Sequence, residues 1–374
     1  MRSKRDFWKA QEDWSRRKHL ILRYYLKPAA AKLASVSQDR SIYIIDGFAG
    51  RGRYKDGSAG SPVHMGELSD ECSRWSSPVQ LLIRNVEPNR KTFAALEAAT
   101  AEWVAIGHYK NINSTFQDAL SNLLRECATK PLFVFLDPFA PKHLLVDDVD
   151  PIMNRRTATE ALIVFHTPLV FRTIMQVASS NTAPDTRESS AQTLDRIYGG
   201  NLWRDLLSQT VTPEIAVECF ANSLLTRYPD VFVCIHGVVA RKDTMAKYHV
   251  VFITRNTHGV ALMNEAFVKE QQDVNSGNQF AIDFEEEERW NDFVTGLFAI
   301  EADAPGKVWI REELVRESII RRFGIRLQKD HLQAIKQLMD SNTGPRLVPL
   351  DGRKTKAGTW ITNDTTRLVF QLAP

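Results

Sequence analysis

Paired cysteines are missing from this chain: its four, Cys72, Cys127, Cys219 and Cys234, form no C-x-x-C pair. That argues against a disulfide framework, a zinc site or a redox pair, so they read as buried thiols. No apolar run approaches the roughly 18 residues of a membrane span. The first residues, MRSKRDFWKAQEDWSRRKHL, are basic but lack the apolar core of a secretory leader, and a cytoplasmic location is expected. The nine histidines supply no second ligand at useful spacing, so no metal site is expected. Two phosphate cradles are also absent. No G-K-[ST] follows a glycine loop, and Gly50-Arg51-Gly52 lacks the third glycine of a dinucleotide fingerprint.

What is present is an ordinary globular composition, 43% apolar and 25% charged over 374 residues, a length that suggests two domains. Net charge is only +3, but basic residues gather at the two ends around an acidic middle, a distribution suited to gripping a phosphate backbone.

Short apolar runs alternate with helical ones. SIYIID, VQLLIRNVE, GHYKNINS, PLFVFLD and EALIVFH read as strands, with helices near 61–70, 88–101, 118–128 and 145–155. HLILRYYLKPAAAKLA precedes them as an amphipathic helix. Ser61 and Asp118 are expected as N-caps, with Pro62 in the first helical position. Helical sequence from 189 to 228, broken at Gly199-Gly200, leads into VFVCIHGVVA and KYHVVFITRN, an edge hairpin turning at RKDTMA. The expected fold is therefore α/β: a Rossmann-like, seven-stranded, mostly parallel sheet with an antiparallel edge hairpin. DFEEEERWNDF and IEADAPGK read as a polar connector, giving a 1–40 helical extension, a 41–304 domain and a basic 305–374 module. That module reads as helix, turn, helix and basic hairpin, the plan of a winged helix able to meet DNA or RNA.

Chemistry concentrates at the strand ends. SIYIIDGFAGRGRY ends a strand on Asp46 and continues into Gly47, Phe48, Ala49, Gly50 and Gly52. The glycines are expected to let backbone approach a ligand. A carboxylate there repels a pyrophosphate but accepts hydrogen bonds from a cationic amino group, which favours S-adenosylmethionine. Glu87 ends the second strand, where it can take both ribose hydroxyls. Asp118 follows the third, where it can meet the adenine amino group. The fourth ends in Asp137, Pro138 and Phe139, a set suited to holding an exocyclic amine for in-line attack, its base flipped out if the target lies in a duplex. His166, ending the fifth strand, is a candidate pocket residue. Glu87 near Lys91 is compatible with the carboxylate–lysine pairing of some nucleases.

YIIDGFAGRGRYKDGSAGSPV, VFLDPFAPK, RIYGGNLWRDLL and YHVVFITRNTHGVALMNEAF resemble the three-Cys-motif partner proteins, a bacterial family; the likeness extends from Trp14 and Lys18 to the basic tail. The resemblance implies a class I methyltransferase fold, S-adenosylmethionine as cofactor and a partner protein containing three cysteines. It carries over Asp46, Gly47, Phe48, Ala49, Gly50 and Gly52 as cofactor loop and Asp137, Pro138 and Phe139 as site motif. Arg51 stands where such loops often have proline, and one proline follows Asp137 instead of the D-P-P-Y of amino methyltransferases. The leading expectation is a nucleic-acid methyltransferase, a base amino group favoured. The alternative is a non-catalytic subunit that docks the three-cysteine partner or nucleic acid.

Overall fold

The computed structural model describes residues 11–140, 143, 145–239, 246–275, 284–340, 346–356 and 359–371. The first ten residues and most of the RKDTMA turn lie outside them. Two compact units result, Met1–Gly259 and Val260–Pro374.

The first unit opens with α1 (Asp13–Ser35) and alternates β1 (Ser41–Asp46), α2 (Ser61–Ser73), β2 (Gln80–Val86), α3 (Arg90–Val104), β3 (Tyr109–Ile112), α4 (Phe116–Glu126), β4 (Leu132–Leu136), α5 (Val146–Met153) and β5 (Thr159–Phe165). Helices α6 (Thr167–Ala178), α7 (Pro184–Tyr198) and α8 (Pro213–Arg227) precede the hairpin β6 (Phe232–Val239) and β7 (Ala246–Thr254). The seven strands lie in the order β3-β2-β1-β4-β5-β7-β6. Strands β1 to β5 are parallel, while β7 runs antiparallel to β5 and β6. This is the expected Rossmann-like, mostly parallel sheet with an antiparallel edge hairpin, and its order reverses between β1 and β4, where open α/β sheets bind ligands.

Every residue of β1, β4 and β5 is buried, as strands covered on both faces require. Alternation divides their side chains. Tyr43, Ile45, Val134, Leu136 and Ile163 join the core formed with α4 to α8. Phe133 and Phe252 instead meet Tyr25 of α1, with ring centroids 5.6 and 4.9 Å away. Lys18, Leu22, Tyr25 and Ala29, all buried, recur at helical spacing on α1. The Tyr25 hydroxyl also donates to Glu160 of β5. The helix that delivers Lys18 is thus anchored on the sheet.

Several local expectations change. Gly60, not Ser61, is the N-cap of α2, which puts Pro62 second in the helix; Gly60 is held extended by donating its N–H to the Gly52 carbonyl at 2.7 Å. Thr115, not Asp118, caps α4, its hydroxyl accepting the Asp118 N–H at 3.2 Å. The α6 segment was not expected as a helix. Its Pro168 sits in the first turn, where a missing N–H costs nothing.

The second unit contains the chain from within α9 (Thr257–Asn275), then α10 (Phe284–Thr295) and α11 (Phe298–Asp303) in place of the expected connector. Phe293, Val294, Leu297 and Ile300 are buried with Trp309, Leu314 and Ile335. That shared core explains why the units divide at Gly259/Val260 and not near 304. Next come β8 (Trp309–Ile310), α12 (Arg311–Arg321), α13 (Gln328–Asp340), β9 (Arg346–Pro349), β10 (Arg353–Lys354), β11 (Trp360–Ile361) and β12 (Arg367–Gln371). A three-stranded antiparallel sheet, β8-β12-β9, carries β10 and β11 as a separate small hairpin. No helix among the described residues is long and apolar enough to cross a membrane.

Candidate active site

Asp46 ends β1 completely buried, in register with Asn85 of β2 and Phe135 of β4. Its Oδ1 accepts the Phe48 N–H at 3.2 Å, and its Oδ2 is buried with no hydrogen-bond partner among the described residues. Burial pushes the carboxyl up to about 7, against the nearby Ser61 hydroxyl and the Phe48 N–H, which favour its charged form. Glu87, just beyond β2 and also buried, accepts the Asn89 N–H at 2.8 Å through Oε1. Its Oε2 has no partner among the described residues. Burial raises this carboxyl too, opposed by the N–H groups of Asn89 and Gly50.

The glycine loop is held to β2 by the Ala49 N–H on the Val86 carbonyl, at 3.0 Å. Gly50 and Gly52 adopt left-handed φ of 65° and 75°, as expected of residues without Cβ. The reason for Gly47 differs from the sequence expectation. A Cβ there would lie 2.7 Å from Leu136 and 2.9 Å from Phe116, so this glycine serves helix-on-sheet packing, not an approaching ligand. Past Gly52 the loop doubles back, Arg53 bridging Ala59 before α2 begins. Within it the Arg51 Nε is a third buried group without a partner among the described residues.

The other side of the switch point is built differently. Asp137, following β4, forms an ion pair with Lys18 of α1, and its Oδ1 lies 3.9 Å from His166 Nε2. Lys18 is 7% exposed. Burial pulls its ammonium down, but the charge of Asp137 beside it prevails and leaves it raised. His166, the N-cap of α6, is pushed below its ordinary value by burial, with the Asp137 charge and a hydrogen bond to the Pro138 backbone opposing. Its ring meets Tyr248 at 6.4 Å. Pro138 is buried, whereas Phe139 is half exposed.

Asp46, Glu87 and the glycine loop therefore form one connected group, and Asp137, Pro138 and His166 a second. Asp118 is exposed in the first turn of α4, where it accepts the Thr115 hydroxyl at 2.6 Å. Lys91 is exposed at the start of α3. Sequence reasoning gave Lys18 no role in the site. Its only signal is a lysine at a buried position of an amphipathic helix, and nothing local says which acid it meets. A separate cavity of about 450 Å³, lined by Asp70, Gln80, Trp103 and Tyr109 among others, lies where β2 and β3 start, at the far end of the sheet from these acids.

No protein-family model and no curated protein matches the chain. Solved structures do. An O-methyltransferase from Bacillus cereus in complex with SAH is 13% identical over 66% of this chain and 83% of its own, with a TM-score of 0.37. The O-methyltransferase TomG from Streptomyces achromogenes, in complex with SAM, is 12% identical over 66% and 90%, at 0.32. An rRNA methylase from Streptococcus thermophilus is 7% identical over 61% and 93%, at 0.30. At such scores the likeness carries no weight for activity or substrate, which rest on the chain's own geometry.

Proposed function

We propose that this chain is an S-adenosylmethionine-dependent methyltransferase acting on nucleic acid. The observation that carries the cofactor is the pair of buried carboxylates at the ends of β1 and β2, Asp46 and Glu87, each with an oxygen lacking a partner among the described residues. Leaving such groups unsatisfied is costly, and a ligand rich in donors relieves it. The residues fit S-adenosylmethionine. Asp46 would take the ammonium, Glu87 the ribose hydroxyls and Arg51 the carboxylate; when bound, the cofactor supplies a methyl group on a sulfonium. The proposed adenine contact of Asp118 requires it to exchange its Thr115 partner.

Nucleic acid is supported by the second unit, which we read as a winged helix. Helix α13 exposes Lys329, Gln333, Lys336 and Gln337, and the β10–β11 tip exposes Arg353 and Lys354, the lysine 4.8 Å from the Trp360 ring. Amides and cations of this kind contact base edges and phosphates.

One observation favours the second reading, a non-catalytic subunit serving a three-cysteine partner protein: Asp137 is already engaged by Lys18. Two measurements separate the readings. Calorimetry with S-adenosylmethionine should show binding, and its absence overturns the cofactor. Labelled methyl transfer to total RNA and DNA should be positive, and binding without transfer leaves the subunit reading. Retention on nucleic acid should fall with salt, and Arg353→Ala with Lys354→Ala should reduce the salt slope by about 2.

A further inference from the structure

We infer that the acceptor atom is a ribose hydroxyl oxygen of RNA, held by Lys18, and not the amino nitrogen of a base; the inference rests on the methyl-transfer reading above. An exocyclic amine presents N–H donors and needs acceptors to hold it. The charged acceptor the motif offers, the Asp137 carboxylate, is already engaged by Lys18 through Oδ2. An incoming amine would face an ammonium that can only donate. A hydroxyl oxygen has the complementary character, because it accepts from Lys18, which keeps N–H donors beyond the one directed at Asp137.

The surroundings suit oxygen chemistry. Lys18 stays charged inside the protein because Asp137 is beside it. A buried ammonium aimed at developing negative charge acts more strongly than one in water. His166 is neutral, its charged form disfavoured by burial, and so is free to accept a proton. The hydroxyl oxygen forms a bond to the methyl carbon as the carbon–sulfur bond breaks with its electron pair staying on sulfur, and the hydroxyl proton passes to His166. Charge balances: one cation is lost at sulfur and one gained at imidazole. Deoxyribose lacks the 2′-hydroxyl, which makes RNA the nucleic acid concerned.

Total RNA and DNA are incubated with the protein and methyl-labelled cofactor, then digested to nucleosides. Label on the ribose of RNA is expected. Label on a base overturns this inference while leaving the methyltransferase reading intact; label on neither nucleic acid overturns both. A second measurement needs no turnover. Without cofactor, an oligoribonucleotide carrying the site should bind roughly tenfold tighter than its 2′-deoxy counterpart, the size of a charged hydrogen bond. The difference should vanish in Lys18→Met/Asp137→Leu, which removes both charges together. Equal binding of the two strands by the wild type overturns the role of Lys18.

Discussion

The two halves of the sheet's carboxyl edge solve the same electrostatic problem in opposite ways. At the ends of β1 and β2, Asp46 and Glu87 are buried as acids, each with an oxygen left without a partner among the described residues. At the end of β4, Asp137 is neutralised by a lysine from the helix before the sheet. In the proposed reading the first half is completed by a cationic, donor-rich ligand. The second is already paired internally, an ammonium lying against its acid. In the proposed reading one half binds and the other positions, and the line between them is the place where the strand order reverses.

The largest expected effect breaks the second half. Lys18→Ala leaves Asp137 beside an empty pocket and should cost about 3 kcal/mol of stability in a denaturant melt, while Lys18→Met/Asp137→Leu should recover all but about 1 kcal/mol. An equal loss in both would mean that packing, not charge, holds the pair. Next, Asp46→Ala should weaken S-adenosylmethionine binding on the order of 100-fold by calorimetry, whereas Asp137→Asn should change it less than about twofold. A comparable loss from Asp137 would dissolve the division between the halves.

The pH dependence sharpens the contrast. If Asp46 holds the ammonium as proposed, it does so only when ionised, and cofactor affinity should fall as pH drops below about 7, by up to about tenfold per unit. Stability runs the other way in the free protein. The folded carboxyl is raised above its ordinary 3.8, so its contribution is fully present below that value and lost as pH rises through about 7. Asp46→Asn should therefore raise the melting temperature in mildly alkaline buffer and do little in acid. Smallest is Glu87→Gln, expected to reduce cofactor affinity by about fivefold with no change in fold. An unchanged affinity would remove Glu87 from the first half.

Much of this edge was legible in the sequence because strands advertise themselves. A six-residue strand ending in Asp46, with a glycine loop after it, marks a strand end whatever surrounds it, and so does the Asp-Pro after PLFVFL. Asp118 shows the limit of that logic. Its sequence position resembles that of Asp46, yet Thr115 three residues earlier captures it as part of a helix cap. The α10–α11 segment shows a second limit. Its acidic start suggested a linker, but Phe293, Leu297 and Ile300 find a core in residues from Trp309 onward.

What the sequence by itself determined was the succession of strands and helices, and with it the sheet and the acids at its carboxyl edge, because burial periodicity and turn chemistry act between near neighbours. Only the tertiary structure decided which of those acids stay open and which is neutralised. Lys18 and Asp137 lie 119 positions apart, and charge pairing across that distance is fixed by how α1 docks on β4, β5 and β7, which no local pattern records.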